Sequence, residues 1–226
     1  MFFENFINVL DVYHQNRIIN FIKPYRIKYY IDVGAHKGEF LSYILKLKYF
    51  KIYCFEPQKK AFDKLKIKAK NKRINIYNFG LGHKNQYLNF HVNKLSSTST
   101  FSKYKNTIYL KFKNYLLNSS KNYLSRYPVK IKKLDNVLKD EKIKDSFLKI
   151  DVEGFELNVL KGSKQTISKK VKFILIEKQF FQMYKNYSYN KIEEVLRQNN
   201  FRLIRRFNYP LLNFQDNLYI KKNRII

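Results

Sequence analysis

The sequence predicts an α/β fold in which helices cover both faces of a mostly parallel β-sheet. Short apolar runs alternate with helical patterns along most of the chain, which is typical of parallel strands joined by crossover helices. The last two apolar runs lie close together, so we expect an antiparallel hairpin at the carboxyl-terminal edge. No linker rich in Pro, Gly or Ser interrupts the 226 residues, of which 45% are apolar. We therefore predict a single domain over residues 1–226.

The first residues predict a helical cap over residues 1–27. Apolar side chains recur at helical spacing from Phe3 to Tyr13, and polar side chains occupy the other face. We expect this helix to help close a ligand pocket.

The next part of the chain alternates strands with helices. Strands are predicted in "YYIDV", "KIYCF" and "INIYNFG", and helices in "FLSYILKLKY" and the strongly basic "KKAFDKLKIKAKNKR". After Gly82, the period-two alternation of "QYLNFHV" predicts a half-exposed strand. Residues 96–130 are predicted to be a variable insertion on the substrate side.

Three interpretations stay open for the part of this insertion between Phe101 and Pro128, which mixes Tyr, Phe, Lys and Arg. Its side chains could stack a sugar and bind a phosphate, or could bind single-stranded nucleic acid. They could also form a helical cap whose apolar face is core. Beyond the insertion, strands are predicted in "FLKIDV", "KFILIEK", "FRLIRRF" and "NLYIKK", and helices in "ELNVLKGSKQTI" and "NKIEEVLRQNN".

The formal net charge of +29 would attract an anionic partner such as a phosphorylated sugar, a nucleic acid or a membrane surface. Most of the basic residues are Lys, and the abundance of Lys, Asn, Ile, Tyr and Phe together also fits A/T-rich coding. The single Cys54 excludes a disulfide framework. Because the chain has neither a signal-peptide pattern nor eighteen consecutive apolar residues, we predict a cytoplasmic protein without a transmembrane segment.

The turn "DVGAHKG" predicts a nucleotide site without phosphate. His36 and Glu39 stand where a dinucleotide fingerprint has Gly, and Asp32 at the strand end would repel a pyrophosphate. A ligand with an ammonium, a sulfonium and a carboxylate fits better, and S-adenosylmethionine is such a ligand. Its charged end should lie near Asp32, with its carboxylate on the free N–H groups after Gly38.

Glu56 strengthens this prediction, because it ends the second strand about where an acidic residue binds two ribose hydroxyls. The alternative is that Gly34 and Gly38 only form a tight turn and that Glu56 is solvated.

Four segments resemble the FkbM family of S-adenosylmethionine-dependent methyltransferases: "YYIDVGAHKGEF", "CFEP", "NFGLG" and "LKIDVEGFELNVLKG". The resemblance covers roughly residues 28–205 and implies a Rossmann-like, seven-stranded methyltransferase sheet. It also implies O-methylation, often of sugars in surface polysaccharides or of hydroxyls in secondary metabolites. This chain has His36 where the family commonly has Asn, and Phe79 where it has a small residue.

The resemblance implies a cofactor site in which Asp32, Gly34 and Gly38 contact the methionine end and Glu56 the ribose. The full predicted cofactor-binding set is Asp32, Gly34, Ala35, His36, Gly38, Glu56, Pro57, Gly80, Leu81 and Asp151.

The carboxylates that follow the fourth parallel strand are the catalytic candidates, because a hydroxyl group must lose its proton when it is methylated. We predict Asp151 as the main candidate, with Glu153 and Glu177 as further candidates. Glu153 could instead hold the turn or cap the following helix. We expect Lys149 at the edge of its strand rather than in the chemistry.

The four His residues lack metal-ligand spacing, so we predict no metal site, although a hydrated divalent cation held by carboxylates stays open. Together, these patterns predict an O-methyltransferase acting on a glycan or a similar small molecule, for which an anionic or lipid-linked acceptor fits the charge. The alternatives are an RNA methyltransferase and a non-catalytic basic binding protein. The sequence does not predict the oligomeric state.

Overall fold

The computed structural model describes residues 2–105, 123–180, 183–210 and 214–222, with side chains from residue 9 onward. The helices are α1 (Phe2–Ile22), α2 (Glu39–Ile44), α3 (Lys59–Lys68), α4 (Leu134–Val137), α5 (Glu156–Lys161), α6 (Lys164–Lys169) and α7 (Tyr189–Gln198). The strands are β1 (Tyr29–Val33), β2 (Lys51–Phe55), β3 (Ile74–Tyr77), β4 (Gly80–Leu81), β5 (Gln86–Val92), β6 (Ser125–Lys132), β7 (Ser146–Ile150), β8 (Val171–Gln179), β9 (Phe201–Asn208) and β10 (Phe214–Lys221).

Seven of these strands form the central sheet, in the order β3-β2-β1-β7-β8-β10-β9. The first five strands in this order are parallel, whereas β10 runs antiparallel to both β8 and β9. The prediction of a mostly parallel sheet with antiparallel carboxyl-terminal strands is therefore confirmed.

Alternate side chains along the strands enter two separate cores, one on each face of the sheet. On one face, Leu148 and Ile150 of β7 pack with residues of α5, α6 and α7. On the other face, Phe147 of the same strand packs with residues of α1 and α2. Helices therefore cover both faces, as predicted.

A second sheet has three strands, in the order β4-β6-β5. Part of it comes from the predicted insertion, because β6 begins at Ser125 and pairs antiparallel with β5. Residues 125–128 are thus a strand, so a helical cap over the whole of residues 101–128 is wrong. Residues 106–122 lie outside the described residues.

The amino-terminal helix is longer than its apolar spacing indicates. It extends to Ile22, and the side chains of His14, Ile18 and Ile22 are buried. Tyr13, expected on the apolar face, is 57% exposed. Within the described part of the chain, no helix is sufficiently long and apolar to cross a membrane.

The helix predicted in "ELNVLKGSKQTI" is divided into α5 and α6, because the backbone at Gly162 approaches another turn closely. A Cβ atom on Gly162 would lie 1.9 Å from the carbonyl oxygen of Gly82. Only glycine allows these two backbones to be in contact at this point.

The turn after β7 is held by Glu156. Glu153 and Gly154 both have positive φ angles, of 53° and 87°, which turn the chain sharply. Glu156 Oε1 accepts hydrogen bonds from the backbone N–H groups of Val152, at 3.3 Å, and Gly154, at 3.0 Å. The carboxylate of Glu153, the candidate for holding this turn, instead accepts hydrogen bonds from Tyr184 and Gln179. Burial raises the pKa of Glu156 from its ordinary value of 4.5 to about 8, although its backbone hydrogen bonds act in the opposite direction.

We predict that Glu156→Gln changes how stability depends on pH. The raised pKa means that the folded protein keeps a proton that the unfolded chain releases above pH 4.5, so wild-type stability falls as the pH rises toward 8. Gln cannot ionise, so the variant lacks this loss of stability with rising pH. The free energy of unfolding of the variant minus that of the wild type should therefore increase as the pH rises, by up to about 1.4 kcal/mol per pH unit. Urea unfolding at pH 5.5, 6.5 and 7.5 measures this difference, and a constant difference would contradict the prediction.

Candidate active site

A cleft lies beyond the carboxyl ends of β1, β2 and β7. This is the edge of a parallel sheet at which ligands bind in α/β folds. The opposite wall comes from the three-stranded sheet and the loop after β5. None of the side chains of α1 from residue 9 onward lines the cleft.

The turn after β1 joins three strand ends. The N–H groups of Gly34 and Ala35 both donate to the carbonyl oxygen of Phe55 at the end of β2, at 3.0 Å. Gly34 has a φ of 87°, and a Cβ atom on it would lie 1.8 Å from the carbonyl oxygen of Asp151. Glycine at position 34 therefore allows the ends of β1 and β7 to come into contact.

Glu56 follows β2 and faces the cleft, although it is only 5% exposed. Its Oε2 accepts a hydrogen bond from the N–H of His36 at 2.8 Å, and its Oε1 accepts one from the N–H of Gln58 at 2.7 Å. Burial raises the pKa of Glu56 to about 7, against the effect of these hydrogen bonds. Each oxygen keeps a lone pair that could accept a further donor. The solvated alternative for Glu56 is wrong, because this carboxylate is buried.

The predicted cofactor residues divide into two groups. Those that line the cleft are Gly34, His36, Glu56, Pro57, Gly80, Leu81 and Asp151. Asp32, Ala35 and Gly38 do not belong to the lining. Asp32 is 2% exposed beneath the turn, and neither of its carboxylate oxygens has a hydrogen-bond partner. Burial raises the pKa of Asp32 to about 6, although Lys149 acts in the opposite direction.

Gly38, with a φ of 77°, precedes the six residues of α2. Glu39 is the first residue of this helix, and its Oε2 accepts the N–H of Lys37, which precedes the helix, at 3.0 Å. The helix is short, and its acidic first turn lies where the carboxylate of the cofactor was expected.

The expectation that Lys149 lies at a strand edge is wrong. Its strand, β7, lies between β1 and β8, and its side chain is 6% exposed. Its Nζ is 2.8 Å from Oδ2 of Asp151 and 3.9 Å from Oδ1 of Asp32. Burial opposes the charge of Lys149, but these two carboxylates outweigh burial and raise the pKa of the ammonium group.

Among the candidate catalytic carboxylates, Asp151 and Glu153 line the cleft and Glu177 does not. The side chain of Asp151 is 36% exposed. Oε2 of Glu153 accepts hydrogen bonds from Tyr184 Oη at 2.6 Å and from Gln179 Nε2 at 3.1 Å. The same amide group also donates to Glu177 Oε1 at 3.1 Å. Glu177 is therefore close to Glu153, although it faces away from the cleft.

Burial raises the pKa of Glu177 well above its ordinary range, and the nearby carboxylates of Asp151 and Glu153 raise it further. A raised pKa disfavours the ionised form of a carboxyl group, which is the form that accepts a proton from a substrate. Glu177 is thus a poorer candidate for a general base than the two carboxylates at the cleft.

The sequence did not single out the serine and phenylalanine side chains of the second wall. Ser96 Oγ lies 2.9 Å from Nε2 of His36, so this loop contacts the glycine turn across the cleft. Phe101 packs against Phe90 and Phe155, with ring centroids 4.8 Å and 5.4 Å apart. The run "LSSTST" predicted a loop on the substrate side, but not which of its hydroxyls face the ligand.

On the adenine side of the predicted cofactor site, Phe79 lines the cleft and carries the Nζ of Lys132 4.6 Å above its ring centroid. No group of three or more His, Cys, Asp or Glu side chains in the described ranges is arranged to hold a metal ion.

Solved methyltransferase structures share this fold. Methyltransferase FkbM from Methylobacillus flagellatus KT matches with a TM-score of 0.57 and 17% identity, over 86% of this chain and 44% of that protein. Magnesium protoporphyrin IX methyltransferase from Synechocystis PCC 6803 with bound SAM matches with a TM-score of 0.52 and 9% identity, over 96% and 82% of the two chains. A provisionally assigned rRNA-methylase from Clostridium thermocellum matches with a TM-score of 0.50 and 11% identity, over 91% and 94%. This chain thus spans less than half of the first protein.

No curated protein sequence matches the chain significantly. The family described as the methyltransferase FkbM domain matches residues 32–203, which is more than half of the sequence. This range includes the turn after β1, Glu56 and the carboxylates after β7. The chain therefore belongs to the methyltransferase FkbM domain family.

Proposed function

We propose that the chain is an S-adenosylmethionine-dependent O-methyltransferase that acts on a hydroxyl group of a sugar, a glycan or a similar small molecule. The observation that carries this proposal is the buried carboxylate of Glu56, which faces the cleft beside the turn after β1. The family to which the chain belongs supports methyl transfer as the reaction.

The cleft fits the nucleoside part of this cofactor. The two oxygens of Glu56 each accept one backbone N–H, and their remaining lone pairs can accept the two ribose hydroxyls. Phe79 and Leu81 supply an apolar surface for the adenine base. At Gly34, where the ends of β1 and β7 are in contact, the cleft is lined by backbone without a side chain. When bound, S-adenosylmethionine supplies a methyl group on a positively charged sulfur.

Asp151 is the proposed general base. The hydroxyl group that receives the methyl must lose its proton, and a carboxylate at the cleft can accept it. One oxygen of Asp151 is paired with Lys149, which leaves the other oxygen for the substrate. Glu153 already accepts hydrogen bonds from Tyr184 and Gln179, so we propose that it shapes the cleft beside Asp151.

The wall opposite the strand ends suits a sugar acceptor. Phe101 and Phe155 present aromatic rings that can pack against the C–H face of a sugar ring. Ser97 and Ser99 lie on the same wall and can exchange hydrogen bonds with sugar hydroxyls. The net charge of +29 further favours an anionic acceptor, such as a phosphorylated or lipid-linked sugar.

The same charge favours a second candidate function, methylation of RNA, because lysines neutralise backbone phosphates. The provisionally assigned rRNA-methylase shares only the fold with this chain, so it does not decide between the two candidates. The third candidate is a protein that binds the cofactor without transferring its methyl group.

We expect calorimetry with S-adenosylhomocysteine to show binding that Glu56→Ala weakens about 10- to 100-fold, which is the usual effect of losing hydrogen bonds to a charged group. The pKa of about 7 means that Glu56 is mostly ionised at pH 8 and mostly protonated at pH 6. Ribose hydroxyls donate to the ionised form. Wild-type affinity should therefore be about tenfold higher at pH 8 than at pH 6.

Glu56→Gln should remove this pH dependence, whereas Glu194→Gln, an exposed change on α7, should preserve it. Equal pH dependence in wild type and Glu56→Gln would contradict the role of Glu56. No binding by the wild-type protein would contradict the proposed cofactor.

We expect tritiated S-adenosylmethionine to label carbohydrate rather than RNA. Nucleotide sugars, lipid-linked oligosaccharides and total RNA would be offered separately at 50 and 200 mM salt. Labelled RNA whose binding falls steeply between these salt concentrations would favour the second candidate. Cofactor binding without label in either class would favour a non-catalytic protein.

With the labelled acceptor, Asp151→Asn should lower turnover about 100- to 10,000-fold, the usual contribution of a general base. Glu177→Gln should lower it less than about tenfold, because Glu177 does not line the cleft and burial disfavours its ionised form. Initial rates at saturating acceptor measure both effects. The reverse ranking of the two variants would identify Glu177 as the base.

A further inference from the structure

Lys149 is a buried cation at the centre of a parallel sheet, where apolar side chains are usual. It lies opposite Asp32 of β1 and Leu175 of β8. Removing an ammonium group from water is costly unless the group is paired, and a buried ion pair is often no more stable than apolar residues of similar size. The stability of the fold alone therefore does not explain a lysine at this position.

The surroundings of Lys149 connect it to the floor of the cleft. Asp151, whose Oδ2 is 2.8 Å from Nζ, lines the cleft itself. Asp32, whose Oδ1 is 3.9 Å away, lies two residues before Gly34 of the cleft lining. Within the described part of the chain, no hydrogen bond reaches the carboxylate of Asp32, which is instead attracted at longer range by this ammonium group. The ring of Phe40 lies 5.6 Å from Nζ and covers it on the α2 side.

We propose that Lys149 sets the net charge of the cleft floor and thereby determines the preference of the site for a cationic cofactor over its neutral product. The inference rests on the proposed function, and it concerns a residue that contacts the candidate base rather than the substrate. Lys149 is therefore a positioning and specificity-determining residue, not a catalytic one.

The formal charges of the cluster and of the two ligands account for this preference. The carboxylates of Asp32 and Asp151 and the ammonium of Lys149 together leave one net negative charge. The ammonium, sulfonium and carboxylate of S-adenosylmethionine leave one net positive charge. S-adenosylhomocysteine has lost the sulfonium charge and is neutral overall. A single negative charge therefore favours the methyl donor and lets the product leave, whereas two would make the site costly to keep ionised.

The other charged groups that act on this cluster must stay constant in any test. Glu39 acts on Asp32, Asp216 of β10 acts on Lys149, and Glu56 and Glu153 line the same cleft. At pH 8 the carboxylate of Asp32 is ionised, since its pKa is about 6.

The test compares two ligands, sinefungin and S-adenosylhomocysteine, by calorimetry at pH 8. Sinefungin carries a protonated amine in place of the sulfonium and transfers no methyl group, so it reports on the charge alone. The wild type should bind sinefungin more tightly. Asp32→Asn removes one carboxylate and makes the cluster neutral, so this preference should fall about tenfold.

Adding Lys149→Met to Asp32→Asn restores one net negative charge. The double variant should therefore regain the preference to within about threefold of the wild type, although it has lost two charged side chains. If Asp32 and Lys149 had purely structural roles, the opposite would be expected, because Lys149→Met would then weaken ligand binding further. Met matches the length of Lys without its charge, and thermal unfolding of each variant checks that it is folded.

Each result has one meaning. A wild-type protein that binds neither ligand contradicts the proposed function, and this inference with it. If the wild type binds both ligands but the double variant prefers sinefungin as weakly as Asp32→Asn does, the inference is contradicted and the proposed function is not. If the single variant Lys149→Met fails to fold, the double variant still decides the question, because it contains no unpaired Asp32.

Discussion

The contact between the turn after β1 and the turn after β7 is the constraint on which the site depends. A side chain at Gly34 would overlap the carbonyl oxygen of Asp151, and the N–H of Asp151 donates to the carbonyl of Val33 at 3.0 Å. The same turn donates two N–H groups to Phe55, at the end of β2. Three strand ends are thereby fixed together by backbone alone. Glu56 and Asp151, which follow two of these strands, consequently face one cleft.

Burial then places each carboxylate near this cleft in a different electrostatic setting. Glu56 and Glu156 each accept two backbone N–H groups, yet burial still raises the pKa of both. Asp32 depends on the ammonium of Lys149, whereas Glu177 accepts a hydrogen bond from the side-chain amide of Gln179 and has a pKa that burial raises well above its ordinary range. Because carboxyl groups within one fold titrate at different pH values, they can hold a turn, bind hydroxyls and accept a proton without exchanging roles.

The sequence predicted the sheet and several cleft residues, because both depend on local patterns. Apolar runs locate the strands, and Glu56 and Asp151 directly follow two of them. The sequence did not predict which acid holds the turn after β7, since that depends on the positive φ of Glu153, which allows Glu156 to bond back to Gly154. It also misplaced Lys149, because one of the two carboxylates that pair with the buried ammonium, Asp32, lies on a strand more than a hundred residues away. Non-local charge pairing leaves no periodic signal.

The overall charge and the local charge of this protein have opposite signs, and they act at different depths. Exposed lysines are screened over about 8 Å at physiological salt, so they affect ligands mainly outside the cleft. Buried carboxylates are screened much less, and they determine the potential that a bound ligand experiences. A strongly basic surface is therefore compatible with a cationic cofactor at the strand ends. Under our proposal, the excess of Lys affects which acceptor approaches, while the few charges beneath the glycine turn decide which nucleoside stays bound.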